Sequence, residues 1–195
     1  NKAVGTVVGT FTTSDVGANS SFTYTLNTSA VPFEIEGDKL KTLQLFNYES
    51  DPTTYLINVT TTDNGGLTYT KDFTISVNNV NDGPTDLELS NANVDENTDV
   101  GTVVGIFTTS DEDANSTFTY TLNTSDVPFE IHGDKLKILQ TINYESDPTS
   151  YLINVTTTDN GGLTYSKDFT ISINNVNEPS TDLTLSLTNN TLDED

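Results

Sequence analysis

The stretch "YLINVTTTDNGGLTYSKDFTISI" (Tyr151–Ile173) decides the fold. Tyr151, Ile153 and Val155 alternate with Leu152 and Asn154, the period-two pattern of a half-buried strand, with the first set inward. Asp159-Asn160-Gly161-Gly162 is a turn signal, and Leu163–Ile173 then resumes with Phe169, Ile171 and Ile173 on one face. Two long strands joined by a tight turn make a hairpin. With two changes, the same stretch occupies Tyr55–Val77 as "YLINVTTTDNGGLTYTKDFTISV".

The offset of 96 from Tyr55 to Tyr151 recurs along the chain: Val4 as Val100, Phe33 as Phe129, Asp63 as Asp159, Asn79 as Asn175. So long a period marks two copies of one domain, not a short-repeat solenoid. "PTDLELSNANVDEN" (Pro84–Asn97) opens the second copy and has no counterpart in the first, because Asn1 corresponds to Asn97. "STDLTLSLTNNTLDED" (Ser180–Asp195) resembles that opening again, with a two-residue insertion. The chain therefore reads as a repeat lacking its first strand (1–82), a complete repeat (83–179) and the first strand of a third (180–195).

Seven strands are predicted in the complete repeat: Asp86–Ser90, Thr102–Thr109, Thr117–Leu122, Val127–Ile131, Lys135–Leu139, Tyr151–Thr157 and Leu163–Ile173. "HGD" (His132–Asp134) marks a tight turn between the fourth and fifth. No segment carries a helical period. The expected fold is all-β: tandem seven-stranded antiparallel Greek-key β-sandwiches of immunoglobulin-like size, joined end to end.

The 195 residues hold 29 acids against 7 Lys, no Cys and one His, a formal charge of −22. A surface this acidic repels nucleic acid and anionic lipid and suits cations. Without Cys there are no disulfides and no thiolate metal sites. No apolar run approaches membrane-spanning length and no signal peptide is visible, so the chain reads as a piece of something larger, with no membrane insertion. With one His and no Cys or Arg, and no readable pocket beside its acid pairs, the chain reads as no enzyme.

The acids collect at strand ends: "VDEN" (Val94–Asn97), "SDEDAN" (Ser110–Asn115), "NYESDP" (Asn143–Pro148), "TTTDNGG" (Thr156–Gly162) and "NNVND" (Asn78–Asp82). In that order they resemble the calcium motifs of cadherin repeats, in the form found in very large bacterial surface adhesins. "VDEN" is similar to the family's first-strand Pro-Glu-Asn element and Asp111–Asp113 to its Asp-x-Asp loop. "INYE" (Ile142–Glu145) is similar to its Leu-Asp-Arg-Glu element, Thr156–Asp159 to its Ala-x-Asp element, and "NVND" before Pro84 to its Asp-x-Asn-Asp-Asn linker.

The resemblance implies Ca2+ between successive repeats. At the first junction the ligands would be Asn47 and Glu49, then Asn79, Asn81 and Asp82, then Asp111, Asp113, Asn115 and Asp159. At the second they would be Glu96, Asn143, Glu145, Asn175, Asn177 and Glu178. Calcium takes six to eight oxygens, and carboxylates with Asn carbonyls are its chemistry. Bare, such clusters repel: two charges ~4 Å apart cost on the order of 1 kcal/mol in water and ~4 kcal/mol near a protein surface. Asn47, Asn79 and Asn143 stand where the family carries Asp, which implies one or two ions per junction. Gly17 in "SDVGAN" (Ser14–Asn19), against Asp113 in "SDEDAN", implies a weaker site at the top of the first repeat.

Plainer readings stand beside these. Asp159 and Asn115 also read as turn residues, Asp51 and Asp147 as turn initiators before Pro, His132 as surface, and Tyr24, Tyr55, Tyr120 and Tyr151 as core. The leading functional expectation is a calcium-rigidified extender of a large bacterial adhesin, extracellular or at the cell surface, with neighbouring repeats as partners. The rivals are direct adhesion, to other copies of itself or to polysaccharide, and an accessory module of a secreted enzyme. A further expectation is donation of Thr181–Leu192 into the first repeat of another molecule.

Overall fold

The computed structural model describes residues 2–16 and 20–184. Gly17, on which the weak-site expectation rests, lies outside the described residues, as do Leu185–Asp195 of the third-repeat strand. All regular structure described is strand, and it falls into two compact units. The first comprises Asn1–Asp82 with Glu112–Asn115, the second Gly83–Asp111 with Ser116–Asp195.

Among the described residues the second unit holds eight strands in two sheets. One sheet contains Asp86–Leu89 (β7), Val103–Ser110 (β9), Phe129–His132 (β11) and Lys135–Ile138 (β12), in the order β11-β12-β9-β7. The other contains Asn93–Asp95 (β8), Phe118–Leu122 (β10), Ser150–Asp159 (β13) and Thr164–Asn174 (β14), in the order β10-β13-β14-β8. The alternation behaves as expected: Ile153, Val155, Ile171 and Ile173 are buried while Leu152 points to solvent. Between the sheets they meet Leu87, Val104, Phe107, Phe129, Leu136 and Ile138. His132 pairs with Lys135 across Gly133, whose φ of 64° is the left-handed value that a two-residue hairpin places on glycine.

Two sequence expectations need correction. The first strand is not one strand but two, β7 and β8, so the repeat has eight. And β8 runs parallel to β14, with Val94 beside Ile173, so among the described residues the sandwich is antiparallel at every pairing except this one. The cause is the break at Asn91, whose Nδ2 donates to the Asn93 carbonyl at 2.7 Å and the Val104 carbonyl at 2.9 Å. That side chain turns the chain out of one sheet and into the other.

The first unit repeats the plan with six strands: Val7–Thr10 (β1), Phe22–Leu26 (β2), Phe33–Glu36 (β3), Lys39–Thr42 (β4), Thr54–Asp63 (β5) and Thr68–Ser76 (β6). They form the sheets β1-β4-β3 and β2-β5-β6. β1 has 4 residues where its counterpart β9 has 8, because the second half of β9 is held by β7, from Asp86 opposite Ser110 to Leu89 opposite Phe107. Among the described residues no strand pairs with β1 on that side, and Val8 is 41% exposed while its counterpart Val104 is 5%.

Glycine shows the same asymmetry. A Cβ on Gly105 would lie 2.5 Å from the Asn91 carbonyl oxygen and 2.7 Å from Leu89 Cδ1, whereas one on Gly9 meets nothing within 4 Å. Gly105→Ala is therefore expected to destabilise the second repeat by about 1–3 kcal/mol. Gly9→Ala should be close to neutral for the first. Denaturant unfolding of the two variants checks this.

Candidate metal centres

In the first unit, Asn47 begins a turn that its own side chain caps. Its Oδ1 accepts the N–H of Glu49 at 2.8 Å and of Ser50 at 3.2 Å, and Asp51 Oδ2 accepts the N–H of Asn47 at 2.9 Å. Asp51 is thus the turn residue the sequence suggested. The turn presents Glu49, whose carboxylate falls with those of Asp82 and Glu112 in a group whose oxygens all lie within 4.8 Å of one another. Asn47 Nδ2 donates to Glu112 Oε2 at 3.1 Å. Asp113 is held beside this group: Oδ1 accepts Asn79 Nδ2 at 2.9 Å and Oδ2 accepts the Asp82 N–H at 2.7 Å. Asn81 Nδ2 donates to the Asp82 carbonyl at 2.9 Å.

Glu112 was missed at the sequence level. It is the middle residue of "DED", read as a spacer between two ligands. Its only signal was its charge.

The second unit builds a matching group from Glu96, Glu145 and Glu178, again with oxygens within 4.8 Å of one another. Glu145 and Glu178 stand 96 positions after Glu49 and Asp82. Glu96 is the anchor. It is 3% exposed, and its two oxygens accept the N–H groups of Val176 and Tyr144, each at 2.8 Å. Those two donors hold its carboxyl below the ordinary glutamate range, so it stays ionised. Asn97 Nδ2 reaches Glu178 at 2.6 Å and Asn175 Nδ2 reaches Glu145 at 3.0 Å. Asn143 Oδ1 caps its own turn by accepting the Glu145 N–H at 2.9 Å.

The remaining candidates fall elsewhere in the second unit or in turns. Asp159 is buried at the end of β13, where Oδ1 accepts the N–H groups of Gly161 and Leu163, each at 2.8 Å. Asp63 does the same for Gly65 and Leu67. The hairpin role read for Asp159 is therefore present. Asn115 is exposed with φ of 68°, a turn conformation that Asn tolerates. Asp111 is half-buried just after β9.

Both groups consist of oxygen donors only, with amide side chains alongside. No imidazole or thiolate enters either. That donor set fits a hard divalent cation of calcium type and not zinc or copper. Three carboxylates so close also oppose one another until a cation neutralises them. Calcium, where bound, would be held by Glu49, Asp82 and Glu112 in one group and by Glu96, Glu145 and Glu178 in the other.

No family model matches the chain, and no curated protein does. Among solved structures it is similar to extracellular cadherin domains 1–4 of protocadherin gamma B7, at 26% identity over 88% of this chain and 46% of that one, with a TM-score of 0.66. It is similar to domains EC1–4 of PcdhgB3 at 25% identity over 91% of this chain and 46% of that one, with a TM-score of 0.71. EC1–2 of human protocadherin-24 matches over 91% of both chains at 18% identity and a TM-score of 0.74, a likeness of fold alone. The chain spans about half the length of the first two. Among the described residues no helix is long and apolar enough to cross a membrane. The repeats are cadherin-like in fold.

Proposed function

We propose that this chain is a calcium-binding extender segment of an extracellular adhesion protein, with repeats divided at 82/83 and 179/180. What carries the reading is a group of three carboxylates formed twice, with Glu49 and Asp82 at the repeat positions of Glu145 and Glu178 and a third acid, Glu112 or Glu96, from a different place each time, and fitted to calcium by its donors. The likeness to extracellular cadherin domains supports the setting. Calcium stiffens the connection between repeats by neutralising carboxylates that otherwise repel. The near-identity of the copies favours a spacer, which needs repetition and not distinct recognition surfaces. The expectation that the parent is a large bacterial surface adhesin is part of this proposal, as are the wider ligand set of Asp111, Asp113, Asn115 and Asp159 and the absence of catalysis.

Small-angle scattering with millimolar calcium and then with chelator is the test. The maximum dimension is expected to fall and the ensemble to broaden when calcium is removed. An unchanged dimension sinks the calcium lock. Homophilic adhesion is the second reading, favoured by one neighbour, protocadherin gamma B7 EC3–6, described as a cis-dimer. Calcium-dependent self-association in the ultracentrifuge distinguishes it from a monomeric spacer.

A further inference from the structure

The sequence holds two Asn-Gly pairs, Asn64-Gly65 and Asn160-Gly161, each at the tip of a long hairpin. Around them Tyr55–Tyr69 and Tyr151–Tyr165 are identical, so local sequence gives both pairs the same intrinsic reactivity. Glycine has no side chain to shield its backbone nitrogen from the preceding carboxamide. That leaves each Asn open to attack by the nitrogen that follows it.

The two turns share a backbone: Gly66 and Gly162 take φ of 84° and 89°. The nucleophilic nitrogen is held alike in both. Asp63 Oδ1 accepts the Gly65 N–H and Asp159 Oδ1 accepts the Gly161 N–H, each at 2.8 Å. The amide under attack is not held alike. Asn160 Oδ1 accepts the N–H of Thr117, just ahead of β10, at 3.1 Å. Asn64 is exposed and its side chain makes no hydrogen bond among the described residues, although Ser21, the counterpart of Thr117, is one of them. To bring its carboxamide carbon onto the next nitrogen, Asn160 must first break the Thr117 bond. Asn64 has only to rotate.

We infer that Asn64 is a site of spontaneous covalent modification, converted to aspartate and isoaspartate well ahead of Asn160. Gly65 N gives its proton to hydroxide and attacks Asn64 Cγ. The N–Cγ bond forms, the Cγ–Nδ2 bond breaks, and Nδ2 takes a proton from water and leaves as ammonia. The resulting succinimide adds one water. Opening at Cγ gives aspartate, and opening at the Asn64 carbonyl carbon gives isoaspartate, with the backbone rerouted through the side chain. The sum is amide plus water to carboxylate plus ammonium, with no oxidant or reductant.

Either product sets a new carboxylate beside Asp63, and like charges at such range oppose each other. Isoaspartate also lengthens the backbone between Asp63 and the Gly65 and Leu67 N–H groups that its Oδ1 holds at 2.8 Å each. The change therefore loosens the β5–β6 turn of the first repeat as the protein ages. It does not depend on the calcium reading, and the test is run in chelator to keep the two apart.

The intact chain is aged in mildly alkaline buffer, digested at lysine and read by mass spectrometry. Cleavage at Lys41 and Lys71, and at Lys137 and Lys167, puts the two sites in peptides of different sequence. A parallel sample in concentrated urea reads the intrinsic rates. In the native chain Asn64 is expected to convert several-fold faster than Asn160, and in urea the two are expected to convert at the same rate. The acidic form that ion exchange separates should disappear in Asn64→Gln and persist in Asn160→Gln. Equal native rates, faster conversion at Asn160 or no conversion at either site overturns the proposal. So does a difference that survives in urea, or an acidic form that survives Asn64→Gln.

Discussion

Phe107→Ala is expected to lower the unfolding free energy of the second repeat by about 3–5 kcal/mol. The ring is 2% exposed and lies at the meeting of both sheets, 5.4 Å from Tyr120 in a stacked pair and 5.8 Å from Phe169. β7 covers it, with Leu89 directly opposite in the pairing. Truncation leaves a cavity that fixed sheet edges cannot collapse. The counterpart substitution Phe11→Ala gives the comparison. Phe11 keeps the same aromatic neighbours, Tyr24 at 5.3 Å and Phe73 at 5.7 Å, but it is only half-buried, with its outer face on the cavity lined by Thr10, Tyr69 and Lys71. Its loss is expected to cost roughly half as much, in line with the smaller area removed from water. Calorimetry that resolves two transitions separates them, and equal costs at the two sites would contradict the difference in burial.

Glu96→Gln is expected to weaken calcium binding at the second-unit group by on the order of 100-fold while leaving the first-unit group intact. Removing a charge from three convergent carboxylates reduces the attraction for a divalent cation. The amide adds a second fault: Val176 and Tyr144 each donate to one oxygen of Glu96, and an amide nitrogen facing either N–H cannot accept. Glu49→Gln should do the reverse, sparing the second unit. Calorimetric titration reads the two groups separately, and wild-type calcium stoichiometry in Glu96→Gln defeats the assignment. In thermal scans, calcium at ~100 times its dissociation constant adds about 2.7 kcal/mol per occupied site. For a domain of this size that raises the midpoint by roughly 10–20 °C. The increment for the second repeat should vanish in Glu96→Gln.

The hairpins were legible because their information is local. Alternation fixes the faces of β13 and β14, and Asp159 with Gly161-Gly162 fixes the turn between them. The split of the first strand was not legible. β8 has three residues, too few for a period, and its parallel pairing with β14 joins positions about 80 apart, as Val94 and Ile173 show. Asn91, which causes the split, looks like any other Asn in a chain rich in them. The acids were legible as a set, since five motifs fall in order. Their individual roles were not: Asn47 and Asn143 direct their carbonyl oxygens into their own turns, a backbone relationship that residue type does not reveal. Glu112 entered the first-unit group through a gap in a pattern, where a family motif treats any residue as filler.

The parallel pairing of β8 with β14 has a mechanical consequence. A pull that draws the amino end of β8 and the carboxyl end of β14 apart runs along both strands and across the hydrogen bonds between them. Ser172 N–H to the Ala92 carbonyl at 2.9 Å, Glu96 N–H to the Asn174 carbonyl at 3.0 Å and Asn174 Nδ2 to Asp95 at 2.9 Å are then loaded together in shear, not peeled one at a time. The second repeat thus has a clamp between its first and last strands that resists extension.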